Sequence, residues 1–254
     1  MTSLEVIALE GLPLVRPGDD LVELIASALT LNGVEPRAQD VLVVAQKVVS
    51  KAEGRIVDLA TIEPSAKART LAAEVDKDPR LVELILSESV RVVRARRNVL
   101  IVEHRLGFIM ANAGVDQSNV GPADGSSRAL LLPENPDRSA EALRIGLAAA
   151  TGIDLAVVIN DSFGRAWRQG TAGVAIGAAG LPALIDLRGR PDLFGRKMEA
   201  SIIGFADEVA AAASLVMGQA DEATPVVLLR GLRWSAPAST AASIIRPANE
   251  DLFR

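Results

Sequence analysis

The chain has no cysteine and no tyrosine, and a single histidine among 254 residues. Without thiols there is no disulfide, no thiolate metal ligand and no cysteine nucleophile. One histidine leaves little room for a histidine-rich metal centre or a Ser-His pair. Aromatic residues make up only 3% although 49% of the chain is hydrophobic, so Ala, Val, Leu and Ile must fill the core. A formal charge of −5 argues against nucleic acid as a partner. No apolar run reaches the roughly 18 residues of a membrane span. The N-terminus also lacks the basic-then-apolar pattern of a signal peptide. The expectation is a cytoplasmic protein with neither a membrane nor a nucleic acid among its partners. The metal chemistry left to it is oxygen coordination, which suits Mg²⁺ or Mn²⁺.

Buried strands and amphipathic helices are both legible. "LEVIAL" (4–9) and "TPVVLLRGL" (224–232) read as strands, and "DLAVVIND" (154–161) as a strand buried on both faces. "DVLVVAQKVVSKAEGR" (40–55) starts as a buried strand and turns basic at Lys47 and Lys51. Asp19 or Asp20 can cap a helix over "LVELIASAL". Residues 65–92 carry two helical patterns, the second with Pro79 near its start. "VLIVEH" and "GFIMAN" suggest two strands joined by a turn at Gly107, with His104 exposed in that turn. "DRSAEALRIGLAAATG" reads as a helix capped by Ser139 and stopped near Gly152, and "GFADEVAAAASLVMG" as a helix with Phe205, Val209, Ala213 and Met217 on one face. Strands and helices mix without a regular βαβ beat. There is no repeat, low-complexity segment or interdomain linker. The fold class expected is α+β (mixed α/β): mixed sheets with flanking helices in a single domain over 1–254, of one or two lobes.

Three polar clusters stand next to apolar elements: "NAGVDQSNV" (112–120), "INDSFGRAWRQG" (159–170) and "MGQADEATP" (217–225). Strand ends are where such sheets place ligands. Asp116, Asp161, Ser162 and Gln219 together would make an oxygen-only site for a divalent metal. Lys47, Lys51, Arg165 and Arg168 are cations able to take phosphate oxygens. Each cluster also has a plain reading, since Asn and Asp after a strand form turns with their own backbone. Lys47 and Lys51 can equally form a solvated edge. "GVAIGAAG" (173–180) lacks the glycine order of a phosphate loop, and close packing of small residues is the better reading. Trp167 and Trp234 can stack on a planar ligand or simply anchor the fold. The residues alone point to a metal-assisted enzyme acting on phosphorylated ligands.

In order and spacing the chain resembles the coenzyme F420-0:L-glutamate ligase (CofE) family. The stretches that carry the likeness are "GLPLVRPGDDL", "VVSKAEGR", "NAGVDQSNV", "LLLP", "INDSFGRAWRQG", "AIGAAG", "DLFGR", "ADEVAAAASLVMGQ" and "PVVLLRGL", spanning about residues 10 to 233. The resemblance implies a stand-alone ligase with a non-Walker α+β fold, working as a homodimer whose active site lies in a cleft near the dimer interface. It implies GTP as cosubstrate, Mg²⁺ or Mn²⁺, and K⁺ as a further activator. The reaction implied phosphorylates the terminal carboxylate of a deazaflavin phospholactate, coenzyme F420-0. The amine of L-glutamate then attacks the acyl phosphate, and further γ-linked glutamates can follow.

Carried over residue by residue, Asp116, Asp161 and Lys51 would be catalytic. Asp116, Asp161, Ser162 and Gln219 would hold the metal. Leu12, Pro13, Leu14 and Val15 would lie against the nucleotide, with Gln46, Lys47, Lys51 and Asn119. Met217, Gly218, Gln219, Ala220, Asp221, Glu222, Ala223 and Thr224 would form its loop. Ser162 stands where many relatives have Thr, and keeps the hydroxyl. Glu199, Asp207 and Arg196 are candidates for the deazaflavin pocket. Two other functions stay open beside the ligase: a metal-dependent phosphohydrolase, and a deazaflavin- or nucleotide-binding protein without turnover.

Overall fold

The computed structural model describes residues 3–120 and 127–251. The first part of the chain runs Glu5–Ala8 (β1), Leu21–Leu31 (α1), Val41–Ala45 (β2), Gln46–Ala52 (α2) and Ile56–Asp58 (β3). Ala66–Val75 (α3) and Pro79–Ser87 (α4) follow, then Ser89–Arg96 (β4), Val99–His104 (β5), Ile109–Ala111 (β6) and Arg128–Leu130 (β7). Last come Pro136–Thr151 (α5), Ala156–Gly164 (β8), Thr171–Ala179 (β9), Ile185–Asp186 (β10), Ile202–Ile203 (β11), Phe205–Met217 (α6) and Val226–Arg230 (β12).

The central sheet has the order β1-β12-β2-β8-β9. Only β2 and β8 are parallel; the other neighbours are antiparallel. The apolar runs of β2, β8 and β12 put alternate residues on opposite faces, and both faces are covered. Leu42, Val44, Val157, Ile159 and Leu228 pack under α1 and α5, through Ile25, Leu29, Leu143 and Leu147. Val41, Val43, Val158, Val227 and Leu229 pack under α6, through Val209, Ala210 and Ala213. A separate core of Leu59, Val75, Ile85, Leu100, Val102 and Leu131 joins α3 and α4 to the β4-β5-β6 sheet and to the β3-β7 pair. The α+β class expected is therefore the one observed, with three small sheets beside the main one among the described residues.

Small residues let the layers close. A Cβ on Gly177 would stand 2.4 Å from the Pro136 carbonyl oxygen, and one on Gly173 would stand 2.6 Å from that of Ala210. The "GVAIGAAG" segment is thus strand β9 pressed between α5 and α6, the close packing its composition suggested. Its outer edge is also closed. Asp207 Oδ1 accepts the Ala175 N–H at 2.9 Å, and Asp137 Oδ1 accepts the Ala178 N–H at 2.9 Å. A register shift between Ile159 and Asn160 turns both N–H groups outward. Burial holds the Asp207 carboxyl above its usual range, against the Ala175 hydrogen bond. Asp207 is therefore a strand clamp, and the geometry gives no support to its reading as a ligand group.

The structure decides several local expectations, the first of them in favour of one of the two residues named. Helix α1 is capped by Asp20, whose Oδ1 accepts the Val22 N–H at 2.8 Å. Helix α5 is capped by Asn135, one residue before Pro136, and not by Ser139. Ser139 lies within the first turn and donates to Glu53. Asn135→Ala should therefore cost ~1 kcal/mol. In a chain of this length that lowers the melting temperature by about 2–4 °C in a thermal scan. The second helix of the 65–92 region ends at Ser87, and an unforeseen strand, β4, begins at Ser89.

His104 is not exposed: it is fully buried at the end of β5. Its Nδ1 accepts the Leu106 N–H at 3.0 Å, so the ring proton sits on Nε2, which faces Glu88 Oε2 at 3.5 Å. His104 first, then Arg105 and Arg55, hold the Glu88 carboxyl down at about 2 against the opposing effect of burial. Trp234 packs on Phe205 with ring centroids 5.8 Å apart, an anchor of the fold. Trp167 is 89% exposed at the tip of the β8–β9 hairpin.

Candidate active site

Four chain segments meet at one edge of the central sheet. The C-terminal ends of the parallel pair β2 and β8 lie there, with Ala45 opposite Asn160. β12 runs the other way, so its beginning lies at the same edge, where the Ala45 N–H bonds the Pro225 carbonyl at 2.8 Å. β1 leaves the sheet at that edge too, with the Leu9 N–H on the Val226 carbonyl at 2.9 Å. Crevices beyond the carboxyl ends of parallel strands are the usual ligand positions in open sheets. Here the edge opens into a cavity of about 900 Å³.

Most of the expected site residues line that cavity. Leu14 and Val15 come from the segment after β1, Gln46, Lys47 and Lys51 from α2, and Asn119 from the turn before the undescribed residues. Asp161 and Ser162 come from β8, and Met217, Gly218, Gln219, Ala220, Asp221, Glu222, Ala223 and Thr224 from the α6–β12 loop. Leu12, Pro13 and Asp116 are not among the lining residues; Leu12 packs against the core under α1, and Asp116 stands behind Lys47. Arg165 and Arg168 lie in the exposed turn beyond β8 and line no part of the cavity. Arg196 and Glu199, on the β10–β11 arm, are likewise absent from the lining. Arg16, Ile56, Arg128 and Asn160 line it without having been singled out. Arg16 directly follows the expected "LPLV" segment, which is the one sequence signal that pointed to it.

Helix α2 springs from β2 and puts Lys47 and Lys51 one turn apart on the same face. Both reach the "NAGVDQSNV" turn. Lys47 Nζ lies 2.7 Å from Asp116 Oδ2 and 2.7 Å from Ser118 Oγ. Lys51 Nζ donates to the Asn119 carbonyl oxygen at 2.6 Å. Asn119 Nδ2 in turn reaches the Ala220 carbonyl at 3.2 Å, tying this turn to the α6–β12 loop. The turn itself requires left-handed backbone at Asn112, Ala113, Gly114 and Asn119. At Gly114 a Cβ would also collide with Leu132, at 2.8 Å.

The electrostatics follow from the burial. Burial first, then the neighbouring Lys47, pushes the Lys51 ammonium below its usual range. Burial pushes Asp116 up, but the bonds from Lys47 and Ser118 outweigh it and the carboxyl lies below its usual range. Asp161 goes the other way, up to about 6, by burial and by the charge of Asp116, against the Ser162 N–H at 2.8 Å and Lys47. Asn160 is buried behind it. Its Nδ2 donates to Ser214 Oγ at 3.0 Å, and its Oδ1 finds no hydrogen-bond partner.

Could this site hold a metal? Two carboxylates that repel one another, a hydroxyl at Ser162 and an amide at Gln219 form an oxygen set suited to Mg²⁺ or Mn²⁺. The raised Asp161 carboxyl is one whose ionised form a divalent cation would favour. Among the described residues no three or more His, Asp or Glu side chains are grouped so that they alone could hold a metal ion. An ion here would therefore lean on neutral oxygens, water and ligand phosphates, as Mg²⁺ commonly does. The residues present fit the group.

Paired cations and carboxylates in a large cavity at a sheet edge define an α+β enzyme site built to handle an anionic ligand. Residues 11–231 match the family model described as F420-0:Gamma-glutamyl ligase. A relative from Methanopyrus kandleri, "Coenzyme F420:L-glutamate ligase", is 48% identical over 262 residues, covering 100% of both chains. One of the same name from Methanothermobacter thermautotrophicus is 47% identical, covering 99% of each chain. A third, from Archaeoglobus fulgidus, is 42% identical over 98% of this chain and 96% of its own. The chain belongs to the F420-0:gamma-glutamyl ligase family, as its motifs suggested, and is an acid–amino-acid ligase. No helix among the described residues is long and apolar enough to cross a membrane.

Proposed function

We propose that this chain is a cytoplasmic enzyme that joins L-glutamate to the terminal carboxylate of coenzyme F420-0, using GTP and a divalent cation. The observation that carries the reading is the convergence of Lys47, Lys51 and Asp161 at one cavity, with Asp116 paired to Lys47 beside it, in a chain similar over its full length to ligases of that name. The γ-phosphoryl group passes to the substrate carboxylate, giving an acyl phosphate and GDP. The deprotonated amine of glutamate then attacks the acyl carbon. The C–O bond to phosphate breaks and an amide forms.

The difficult approach is that of two anions, a carboxylate and a triphosphate. Lys47 and Lys51 offset that repulsion from the α2 side of the cavity. The α6–β12 loop and the Leu14–Val15 segment flank the nucleotide and orient its phosphates, and positioning alone can supply effective molarities of ~10⁵ M or more. Asp116, Asp161, Ser162 and Gln219 would hold Mg²⁺ or Mn²⁺, which when bound neutralises charge on the transferring group. K⁺ is proposed as a further activator, and additional γ-linked glutamates as further products. None of these steps calls on a cysteine or histidine.

A homodimer is proposed with it. Leu193 and Phe194, at the end of the β10–β11 arm, are 99% and 96% exposed. They and Trp167, itself 89% exposed, offer apolar side chains that a second copy can cover.

The test is a product assay by mass spectrometry, with the mono-acid deazaflavin, L-glutamate, GTP and Mn²⁺, and with ATP and glutamate-free controls. A GTP-dependent gain of one or more glutamyl units is expected. Phosphate release without glutamate would instead indicate a phosphohydrolase. Binding with neither product would indicate a protein that only binds.

A further inference from the structure

The ammonium of Lys47 occupies a built cation site. Asp116 Oδ2 at 2.7 Å, Ser118 Oγ at 2.7 Å and the Ser118 carbonyl oxygen at 3.4 Å converge on it. The site does not depend on the lysine for its shape. The Ser118 N–H holds Asp116 Oδ1 at 2.7 Å, and the Ser118 hydroxyl holds Oδ2 at 3.0 Å. The carboxylate is thus oriented by its own turn, and the cation is added from another element, α2. Lys51, one turn further on, bonds a neutral carbonyl oxygen and no carboxylate.

A divalent ion arriving at Asp116 would bring two positive charges to contact distance of that ammonium, and the like charges repel steeply at such range. The two compete for the one carboxylate. We infer that Lys47 is an exchangeable placeholder for the divalent cation: metal taking Asp116 expels the ammonium, which then turns to the anionic ligand in the same cavity. The lysine keeps Asp116 paired while no metal is present, and it becomes available to phosphate only once the metal has arrived. Metal and phosphate binding are then linked through one side chain, and the linkage is reciprocal. This inference rests on the metal site proposed above.

The measurement is Mn²⁺ binding to the nucleotide-free protein, read by electron paramagnetic resonance. With the competing cation removed, Lys47→Met should bind Mn²⁺ at least ~10-fold more tightly than wild type, while Lys51→Met stays within ~3-fold. A Lys47→Met protein with a native melt and unchanged or weaker Mn²⁺ binding would overturn the inference. A second readout uses the wild-type chain with ¹³C-methylated lysines, so it does not depend on the variant folding. The Lys47 resonance should shift on titration with Mg²⁺; a resonance that stays still overturns the inference as well. Asp116→Asn separates the two levels. Mn²⁺ binding unchanged by this substitution would remove Asp116 from the metal site, and the placeholder with it. Binding that needs Asp116 yet ignores Lys47 would sink the placeholder alone.

Discussion

Asp161→Asn should lower glutamate-dependent turnover by ~10³-fold or more, on the scale of removing a preorganised charge from an active site. The change keeps the shape of the side chain and takes away only its charge. The same variant should leave the fold intact, and in metal-free protein it should raise stability. The sign follows from the direction of the shift. Burial lifts the Asp161 carboxyl to about 6 in the folded protein. The folded state therefore holds this proton more tightly than the unfolded chain does. The stabilising effect is fully present below the unfolded value, about pH 4, and is lost as pH rises through about 6. Above that, the wild type carries a penalty of at most ~3 kcal/mol, since each pK unit is worth about 1.4 kcal/mol. Melting curves in chelator should show the variant above wild type near pH 8 and level with it near pH 4. Wild-type turnover in the Asn variant would remove Asp161 from the mechanism, whatever the melting curves show.

Gly177→Ala should destabilise the protein by ~3 kcal/mol, the upper part of the range for overpacking a core. The added methyl has no soft neighbour to displace. It would stand 2.4 Å from the carbonyl oxygen and 2.5 Å from the carbonyl carbon of Pro136, both backbone atoms at the start of α5. Either β9 or α5 must shift, and both are tied to β8. A melting temperature lower by about 6–12 °C is expected from calorimetry. An unchanged melt would mean that the helix and the strand are not held at the distance described. Gly152 has open space around it, so a Cβ there would meet no neighbour at all. Its left-handed backbone, φ 74°, makes any cost of Gly152→Ala one of conformation instead of packing.

Much of the central sheet was legible because its strands are buried on both faces. "VLVV", "LAVVIN" and "PVVLL" have no other use for so many β-branched residues. β4 was hidden for the opposite reason. "SVRVVRAR" is an edge strand whose Arg91, Arg94 and Arg96 face solvent, and charge of that kind protects an edge while resembling the end of a helix. Ser139 and Asn135 both precede an apolar run, and Pro136, which fits only the first turn, decides for Asn135 as the cap. A turn directly after His104 suggests exposure, yet its Nδ1 is part of that turn and the ring is buried.

At the site, residue types were visible but their partners were not. Lys47 and Ser118 are 71 positions apart, and nothing in either stretch announces the other. Asp161 showed itself at the end of an apolar strand, whereas Arg128 lies in a short strand with no such marker. Leu12 and Pro13 followed the family pattern, but the chain turns to the cavity only from Leu14 onward.

The clamping of β9 by Asp137 and Asp207 bears on how the chain is made. "TAGVAIGAA" is an edge strand with no charge and no proline, so its own residues supply none of the devices that keep an open edge from pairing with other strands. In the finished protein its free side is taken by two carboxylates carried on α5 and α6. Helix α5 precedes the strand and is already synthesised when β9 leaves the ribosome. Helix α6 follows it by more than twenty residues, so one clamp is missing during translation. The order of elements along the chain therefore sets an interval in which this strand is guarded from one end only, and that interval closes when α6 docks.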